Sequence, residues 1–90
     1  MEYVVFYTTD PSAAARIPEV YPRHREYLDA FAAEGGILGI GPFDDPARNG
    51  SMAVFTSRER AEQFIARDPF VLEGIAHPSD IREWDALNYR

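Results

Sequence analysis

The pattern of apolar and polar positions predicts four β-strands. Residues 2–8 (EYVVFYT) are β-branched and aromatic and end at the turn-forming TTDPS, which is typical of a strand. The segments 37–43 (ILGIGPF) and 51–56 (SMAVFT) have the same character. A last strand is expected from Ile75 to Trp84, with an irregular start at the HPSD sequence.

Two further segments have the 3.6-residue period of an amphipathic helix. The first begins near Pro18, where proline is tolerated in a first turn, and ends at Glu34 before a pair of glycines. The second spans 57–68 (SRERAEQFIARD), and Thr56 is expected to cap it as the first residue of a capping box. Shorter helical turns are expected over 13–17 and 69–74.

The element order β, α, β, β, α, β predicts one domain, residues 1–90, with an α+β fold: a ferredoxin-like βαββαβ two-layer sandwich. Two right-handed crossovers place both helices on the same face of the sheet. The strand sequences YVVFY and MAVF are nevertheless apolar at successive positions, as in strands covered on both faces. A second copy of the chain would cover the other face, which predicts a homodimer; the alternative is a monomer with an exposed apolar face.

The amino-acid composition excludes several kinds of functional site and partner. The 90 residues include no cysteine, which removes thiolate nucleophiles, Cys-ligated zinc and disulfides, and all nine basic residues are arginine. A net charge of −6 without a basic face argues against nucleic acid as a partner. No stretch approaches the length of a membrane span, and the N-terminus lacks the charge of a signal peptide. We expect a soluble cytoplasmic protein without a metal or another cofactor.

A titratable residue lies within an apolar stripe. The helical sequence 20–31 (VYPRHREYLDAF) places His24 on the same face as Val20 and Phe31. Asp68 shares the core-facing side of the second helix, in its last turn, where the helix macrodipole disfavours a carboxylate. The strand directions bring both residues to one edge of the sandwich. If Asp68 accepts a hydrogen bond from one imidazole nitrogen, the other nitrogen is left for a ligand, as a general base requires.

Structural explanations exist for both residues. A histidine on an apolar helix face is often a hydrogen-bonded core residue, and Asp before Pro is a common end to a helix. His77, in HPSD, is expected to be a solvated turn residue. Further candidates for a pocket at the same edge are Tyr7, Tyr27, Gly41, Pro42 and Ser51, although each also has an ordinary structural explanation.

The chain resembles the YciI family (YCII-related domain) over essentially its whole length. The matching pieces include YVVFY, HREYLDAFAAEGG, ILGIGPF, NGSMAVF, AEQFIARDPFVLEGI and IREW. The resemblance implies a ferredoxin-like fold that dimerises through its sheets into an α+β barrel, with an active site at His24 and Asp68 and a rim that includes Gly41, Pro42 and Ser51. Family members often carry arginine three residues before the histidine, where this chain has Tyr21.

Two classes of function are compatible with these residues. The first is a cofactor-independent enzyme, an isomerase or a lyase of the dehydrohalogenase type, that acts on a small cyclic or aromatic substrate with His24 as base and Asp68 as its partner. The second is a non-catalytic domain for ligand binding or assembly, in which the same pair is a structural hydrogen bond. A regulatory protein that binds nucleic acid is a third reading, which the acidic composition opposes.

Overall fold

The computed structural model describes residues 1–87, which form one antiparallel sheet with its helices packed on one face. The strands are β1 (Glu2–Thr9), β2 (Ile37–Pro42), β3 (Ser51–Phe55), β4 (Ala76–Pro78) and β5 (Arg82–Trp84). The helices are α1 (Ile17–Glu34), α2 (Pro46–Asn49), α3 (Arg58–Arg67) and α4 (Pro69–Leu72), and a 3-10 turn spans Ala14–Arg16.

The strand order confirms the predicted α+β, ferredoxin-like fold. The sheet runs β2-β3-β1-β4, and β5 also pairs with β1. Every pairing is antiparallel, and the register places Ser51 opposite Tyr7 on one side and opposite Pro42 on the other. The start of β3 is therefore held between the ends of β1 and β2, at one edge of the sandwich.

The C-terminal strand is not continuous, as the sequence predicted, but divided into β4 and β5. Both halves pair with β1, and the interruption falls at Ser79. The Ser79 amide donates to the Phe6 carbonyl oxygen, and the Ser79 hydroxyl accepts from the Phe6 amide. Because one residue satisfies both backbone groups of Phe6, and Pro78 has no amide hydrogen to offer, the regular ladder stops there.

The long helix α1 presents the predicted apolar stripe to the sheet. Its buried residues are Val20, His24 and Phe31, at helical spacing. Pro22 lies inside the helix, beyond its first turn, and has no amide hydrogen to donate to the carbonyl oxygen of Pro18. None of the helices within residues 1–87 combines the length and the apolar character that a membrane span needs.

The second helix begins one residue later than the sequence predicted. The Ser57 hydroxyl, rather than Thr56, caps α3 by accepting from the Arg60 amide at 3.1 Å. Thr56 instead donates its own amide to the Gly36 carbonyl oxygen. When a threonine and a serine are adjacent, the sequence does not show which of them is the N-cap, because both residue types are good N-caps.

The core lies between the sheet and the helices. Phe55 projects from the sheet and Phe31 and Phe64 project from the helices, and all three rings are buried. The Phe31 and Phe64 rings meet edge to face with centroids 5.1 Å apart, a favoured aromatic geometry. This aromatic layer fixes the spacing of α1 and α3 above the sheet.

The opposite face of the sheet is open in the single chain, as expected when two helices cover only one side. Phe6 is 45% exposed and Trp84 is 48% exposed. Phe43 stacks on Phe6 with ring centroids 6.5 Å apart. We refer to Phe6, Phe43 and Trp84 as the open-face aromatics. A second copy over this face stays a prediction.

Candidate active site

His24 and Asp68 meet at the edge where β1, β2 and β3 come together. The His24 Nδ1 and the Asp68 Oδ1 are 2.7 Å apart, although the residues are 44 positions apart in the chain. His24 is only 9% exposed and Asp68 only 2%. The predicted contact between the two side chains is therefore confirmed, while its catalytic role stays a prediction.

Asp68 does not lie in the last turn of the second helix, as the sequence suggested. It follows α3 and is the N-cap of α4, where its Oδ1 also accepts from the Phe70 amide at 3.1 Å. Pro69 occupies the first turn of α4, where a missing amide hydrogen costs nothing. Asp68 is therefore both the C-cap of α3 and the N-cap of α4, and the capping hydrogen bond to α4 offsets the unfavourable position at the end of α3.

The contact determines which imidazole nitrogen is available. An ionised carboxylate only accepts hydrogen bonds, so a neutral imidazole in this contact carries its hydrogen on Nδ1 and its lone pair on Nε2. Nε2 has no hydrogen-bond partner within residues 1–87, and it is not sealed from solvent. This is the arrangement that a general base requires.

Aromatic rings hold the imidazole in place. The Phe70 ring stacks on the His24 ring, with centroids 4.1 Å apart and planes within 10°. Tyr21, one helical turn before His24, is 6.1 Å from the imidazole and 6.4 Å from the Phe70 ring. The histidine thus has little freedom to rotate, since Asp68 holds one edge of its ring and Phe70 covers one face.

A cavity of about 290 Å³ opens beside this pair. Its wall is largely apolar, and among residues 1–87 no arginine lines it, while the chain has no lysine. Six of the residues singled out from the sequence lie in it: Tyr7, His24, Gly41, Pro42, Ser51 and Asp68. Their convergence follows from the strand order, which brings the ends of β1 and β2 to the start of β3.

Tyr27, which was also expected in the pocket, lies outside it. Its hydroxyl donates to the Phe64 carbonyl oxygen at 2.8 Å, and its ring packs 5.1 Å from the Phe64 ring. Burial raises the pKa of this phenol. Tyr27 comes three residues after His24, so the helix turns it toward α3 rather than toward the edge of the sheet.

Tyr7 belongs to the same core as Tyr27 but, unlike Tyr27, it lines the cavity. It is 4% exposed and lines the cavity, and its hydroxyl has no hydrogen-bond partner within residues 1–87. Burial, with a smaller contribution from the charge of Asp68, raises the pKa of the Tyr7 phenol well above its usual range. The hydroxyl therefore stays protonated at any physiological pH and can act as a donor.

Gly50 positions Ser51 beside Tyr7. Its φ of +75° is a conformation that L side chains rarely adopt, and a Cβ at this position would collide with the Tyr7 carbonyl oxygen. Only glycine therefore allows the chain to approach β1 so closely before β3 begins. Ser51 follows directly and contributes to the cavity wall.

Tyr21 and Phe70 are the site residues that sequence reasoning missed. The sequence distinguishes Tyr21 only as a departure from a family pattern, and it predicts that Phe70 lies in a short helical turn after Pro69. A usable signal was present, because an Asp-Pro pair followed by apolar residues is typical of a capped helix start. At such a helix start, the second residue after the N-cap lies close to the capping side chain, as Phe70 does to Asp68.

The second histidine of the chain makes a separate pair. The His77 Nε2 lies 2.9 Å from the Asp10 Oδ2. His77 is exposed, as predicted, but it belongs to strand β4 rather than to a turn, and it does not line the cavity. Within residues 1–87 no group of three or more His, Cys, Asp or Glu side chains is arranged to hold a metal ion.

Comparisons with known proteins identify the family and the fold of the chain. The sequence profile of the YCII-related domain matches residues 1–85. No curated protein matches the chain. A solved structure with the same fold is the 5-chloro-2-hydroxyhydroquinone dehydrochlorinase TftG from Burkholderia phenoliruptrix AC1100, in complex with 2,5-dihydroxybenzoquinone; it has a TM-score of 0.72 and 22% identity, over 94% of each chain.

Proposed function

Because the chain belongs to the YCII-related domain family, we propose that it is a cofactor-independent enzyme acting on a small, oxygen-substituted ring. The observation that carries the proposal is the His24–Asp68 contact beside a cavity, which leaves Nε2 of the imidazole available. In this mechanism His24 is the general base. Asp68 orients the imidazole and stabilises the imidazolium that forms when the proton is taken.

The proposed reaction begins with the transfer of one proton to His24. Nε2 of His24 takes a proton from a ring hydroxyl or an acidic ring carbon, and the electron pair moves into the ring to form an enolate-like oxyanion. Ser51 or a backbone amide near Gly41 donates a hydrogen bond to that oxygen. Return of that proton to a different ring carbon completes an isomerisation to the keto form. Where that carbon carries chloride, His24 then takes a second hydroxyl proton, the carbon–chlorine bond breaks, and the loss of chloride completes an elimination.

The size and wall of the cavity support a single ring as the ligand. A cavity of roughly 150 Å³ is enough to hold benzene, and this one is about 290 Å³, which leaves space for substituents. Tyr21 and Phe70 supply aromatic surface against which a planar ligand can stack. The TftG structure, which holds 2,5-dihydroxybenzoquinone, supports the same class of ligand.

A second candidate is a non-catalytic binding domain. The capping of α4 by Asp68 gives that residue a structural reason to be present. His24 is buried against Phe70 and belongs to the apolar face of α1. In this alternative, the His24–Asp68 hydrogen bond holds α1 to α4, and the protein binds a ligand in the cavity without converting it to a product.

The test uses 5-chloro-2-hydroxyhydroquinone and measures the release of chloride. For an active enzyme, His24→Ala is expected to lower the rate by about 100-fold or more, because the proton has no acceptor. His77→Ala, which removes the other histidine, is the matched control and is expected to leave the rate unchanged. A folded His24→Ala variant that retains the wild-type rate would contradict the mechanism. Binding of the compound without release of chloride would favour the second candidate.

We also propose that the chain forms a homodimer through the open-face aromatics. Their exposure on the uncovered side of the sheet is the supporting observation. Phe6→Asp is expected to convert a dimer into a monomer in sedimentation equilibrium, since a charge would be buried at the centre of the contact. A wild-type chain that sediments as a monomer at high concentration would contradict this assembly. The cytoplasmic location stays a prediction from the sequence.

A further inference from the structure

Within residues 1–87, the Tyr7 hydroxyl oxygen is the side-chain polar atom that is buried from solvent and has no hydrogen-bond partner. A buried tyrosine normally directs its hydroxyl at an acceptor, because an unsatisfied buried polar group destabilises the folded chain. Tyr27 in the same core follows that rule and donates to Phe64. The orphaned donor at Tyr7 therefore calls for an explanation.

We infer that the Tyr7 hydroxyl is a hydrogen-bond donor reserved for an oxygen of the ligand, a carbonyl, enolate or phenolate oxygen on the ring. The inference rests on the proposed function, to which it adds a ligand-binding group and a requirement on the substrate. The ligand must place an acceptor oxygen against β1 while another part of its ring faces His24. Tyr7 donates the hydrogen bond and keeps its proton.

The position of Tyr7 fits this role. It lines the cavity together with His24 and Asp68. It also lies directly opposite Ser51 in the β1–β3 register, so the two side chains leave the same face of the sheet with Cβ atoms about 5 Å apart. An oxygen that enters at this end of the cavity thus meets two hydroxyl-bearing residues.

The protonation state of Tyr7 suits a donor and excludes a base. Burial and the nearby charge of Asp68 both raise the pKa of the phenol. A neutral donor in a site shielded from water makes stronger hydrogen bonds than the same group in solvent. Its oxygen is covered in the free chain, so contact with a ligand requires a small side-chain shift in the cavity wall, a common change on binding.

The first measurement compares the thermal stability of two matched variants. Tyr27→Phe is expected to lower the Tm by about 5 °C, because it removes a hydroxyl that donates to a carbonyl oxygen. Tyr7→Phe is expected to leave the Tm unchanged or to raise it, since the hydroxyl that it removes has no acceptor in the protein. A Tm loss for Tyr7→Phe as large as that for Tyr27→Phe would overturn the inference.

The second measurement is calorimetric binding of 2,5-dihydroxybenzoquinone, which carries four ring oxygens. Tyr7→Phe is expected to weaken binding about tenfold or more, because a hydrogen bond to a charged or polarised oxygen is lost. Tyr27→Phe, which is outside the cavity, is expected to bind like the wild type. Equal affinities of the wild type and Tyr7→Phe would overturn the inference and leave the proposed function intact.

The two measurements separate this inference from the function on which it rests. If the wild type does not bind the quinone but the two Tm values fall in the expected order, the proposed ligand class is wrong, and the unpaired donor at Tyr7 is supported. If the quinone binds and Tyr7→Phe weakens it while chloride release from 5-chloro-2-hydroxyhydroquinone is absent, Tyr7 is supported as a ligand-binding residue of a non-catalytic site.

Discussion

The chain contains two histidines, and each lies within hydrogen-bond distance of an aspartate, His24 through Nδ1 and His77 through Nε2. The distance is 2.7 Å between His24 and Asp68 and 2.9 Å between His77 and Asp10. The surroundings differ: the side chains of the first pair are 11% and 3% exposed, and those of the second are 54% and 31% exposed. We refer to His24 and Asp68 as the inner pair and to His77 and Asp10 as the outer pair. The inner pair faces a cavity and an aromatic ring, whereas the outer pair faces solvent.

The comparison shows that a His-Asp hydrogen bond alone does not define a candidate active site. Both pairs hold an imidazole against a carboxylate, but only the inner one combines a fixed ring, an available nitrogen and space for a ligand. Water competes for every hydrogen bond of the outer pair, which reduces the contribution of that pair to stability. The following predictions test whether burial is the property that separates the two.

The largest difference is expected on removal of the carboxylates. Asp68→Ala removes the cap of α4 and leaves the buried His24 Nδ1 without an acceptor, which together should lower the free energy of unfolding by about 2 to 4 kcal/mol. Asp10→Ala is the matched exposed change, and its effect should be much smaller. Urea denaturation measures both. Equal losses would show that burial does not distinguish the pairs, and Asp68→Asn provides a milder variant if Asp68→Ala does not fold.

A smaller effect is expected from the aromatic ring that only the inner pair has. Phe70→Leu keeps an apolar side chain but removes the ring stacked on His24, which should lower the free energy of unfolding by about 1 kcal/mol. It should also weaken binding of 2,5-dihydroxybenzoquinone, because the imidazole gains freedom to rotate. Leu72→Ala, at an exposed position of the same helix, serves as the control. Identical stability of Phe70→Leu and the wild type would argue against a role for the stacking.

The smallest effect is expected from lowering the pH, which protonates Asp10 in the outer pair. Hydrogen bonds from Ser12, and then from His77, lower the pKa of Asp10 to about 2, below the unfolded value near 4. Because the folded pKa is the lower one, Asp10 stabilises the chain above about pH 4, and this contribution is lost as the pH falls toward 2. Asp10→Asn should therefore flatten the fall in Tm between pH 4 and pH 2. Added salt should reproduce part of that flattening, and a variant with an unchanged pH profile would contradict the assignment.

The fold and the position of the inner pair could be predicted from the sequence because both depend on periodicity and direction. The helical spacing from Val20 through His24 to Phe31 identifies the buried side of α1. The order of strands and helices then determines which ends meet, and this brought His24, Asp68 and Ser51 to the same edge. These predictions need no knowledge of individual contacts.

The features that could not be predicted from the sequence depend on contacts between residues that are distant in the chain. The break between β4 and β5 follows from two hydrogen bonds between Ser79 and Phe6, and nothing local to HPSD shows them. The unpaired hydroxyl of Tyr7 and the bonded one of Tyr27 have equivalent sequence signals, since both residues lie in apolar segments. Which of them finds an acceptor depends on the packing of α1 against α3.

The capping of α4 by Asp68 has a consequence for interpreting related chains. An aspartate at this position caps a helix whether or not it also takes part in a reaction, so selection for a stable α4 would keep it even in a chain without activity. The structural contacts of the histidine, its hydrogen bond with Asp68 and its stacking on Phe70, do not cap a helix. In any relative, therefore, the residue aligned with His24 is the more informative sign of a working site.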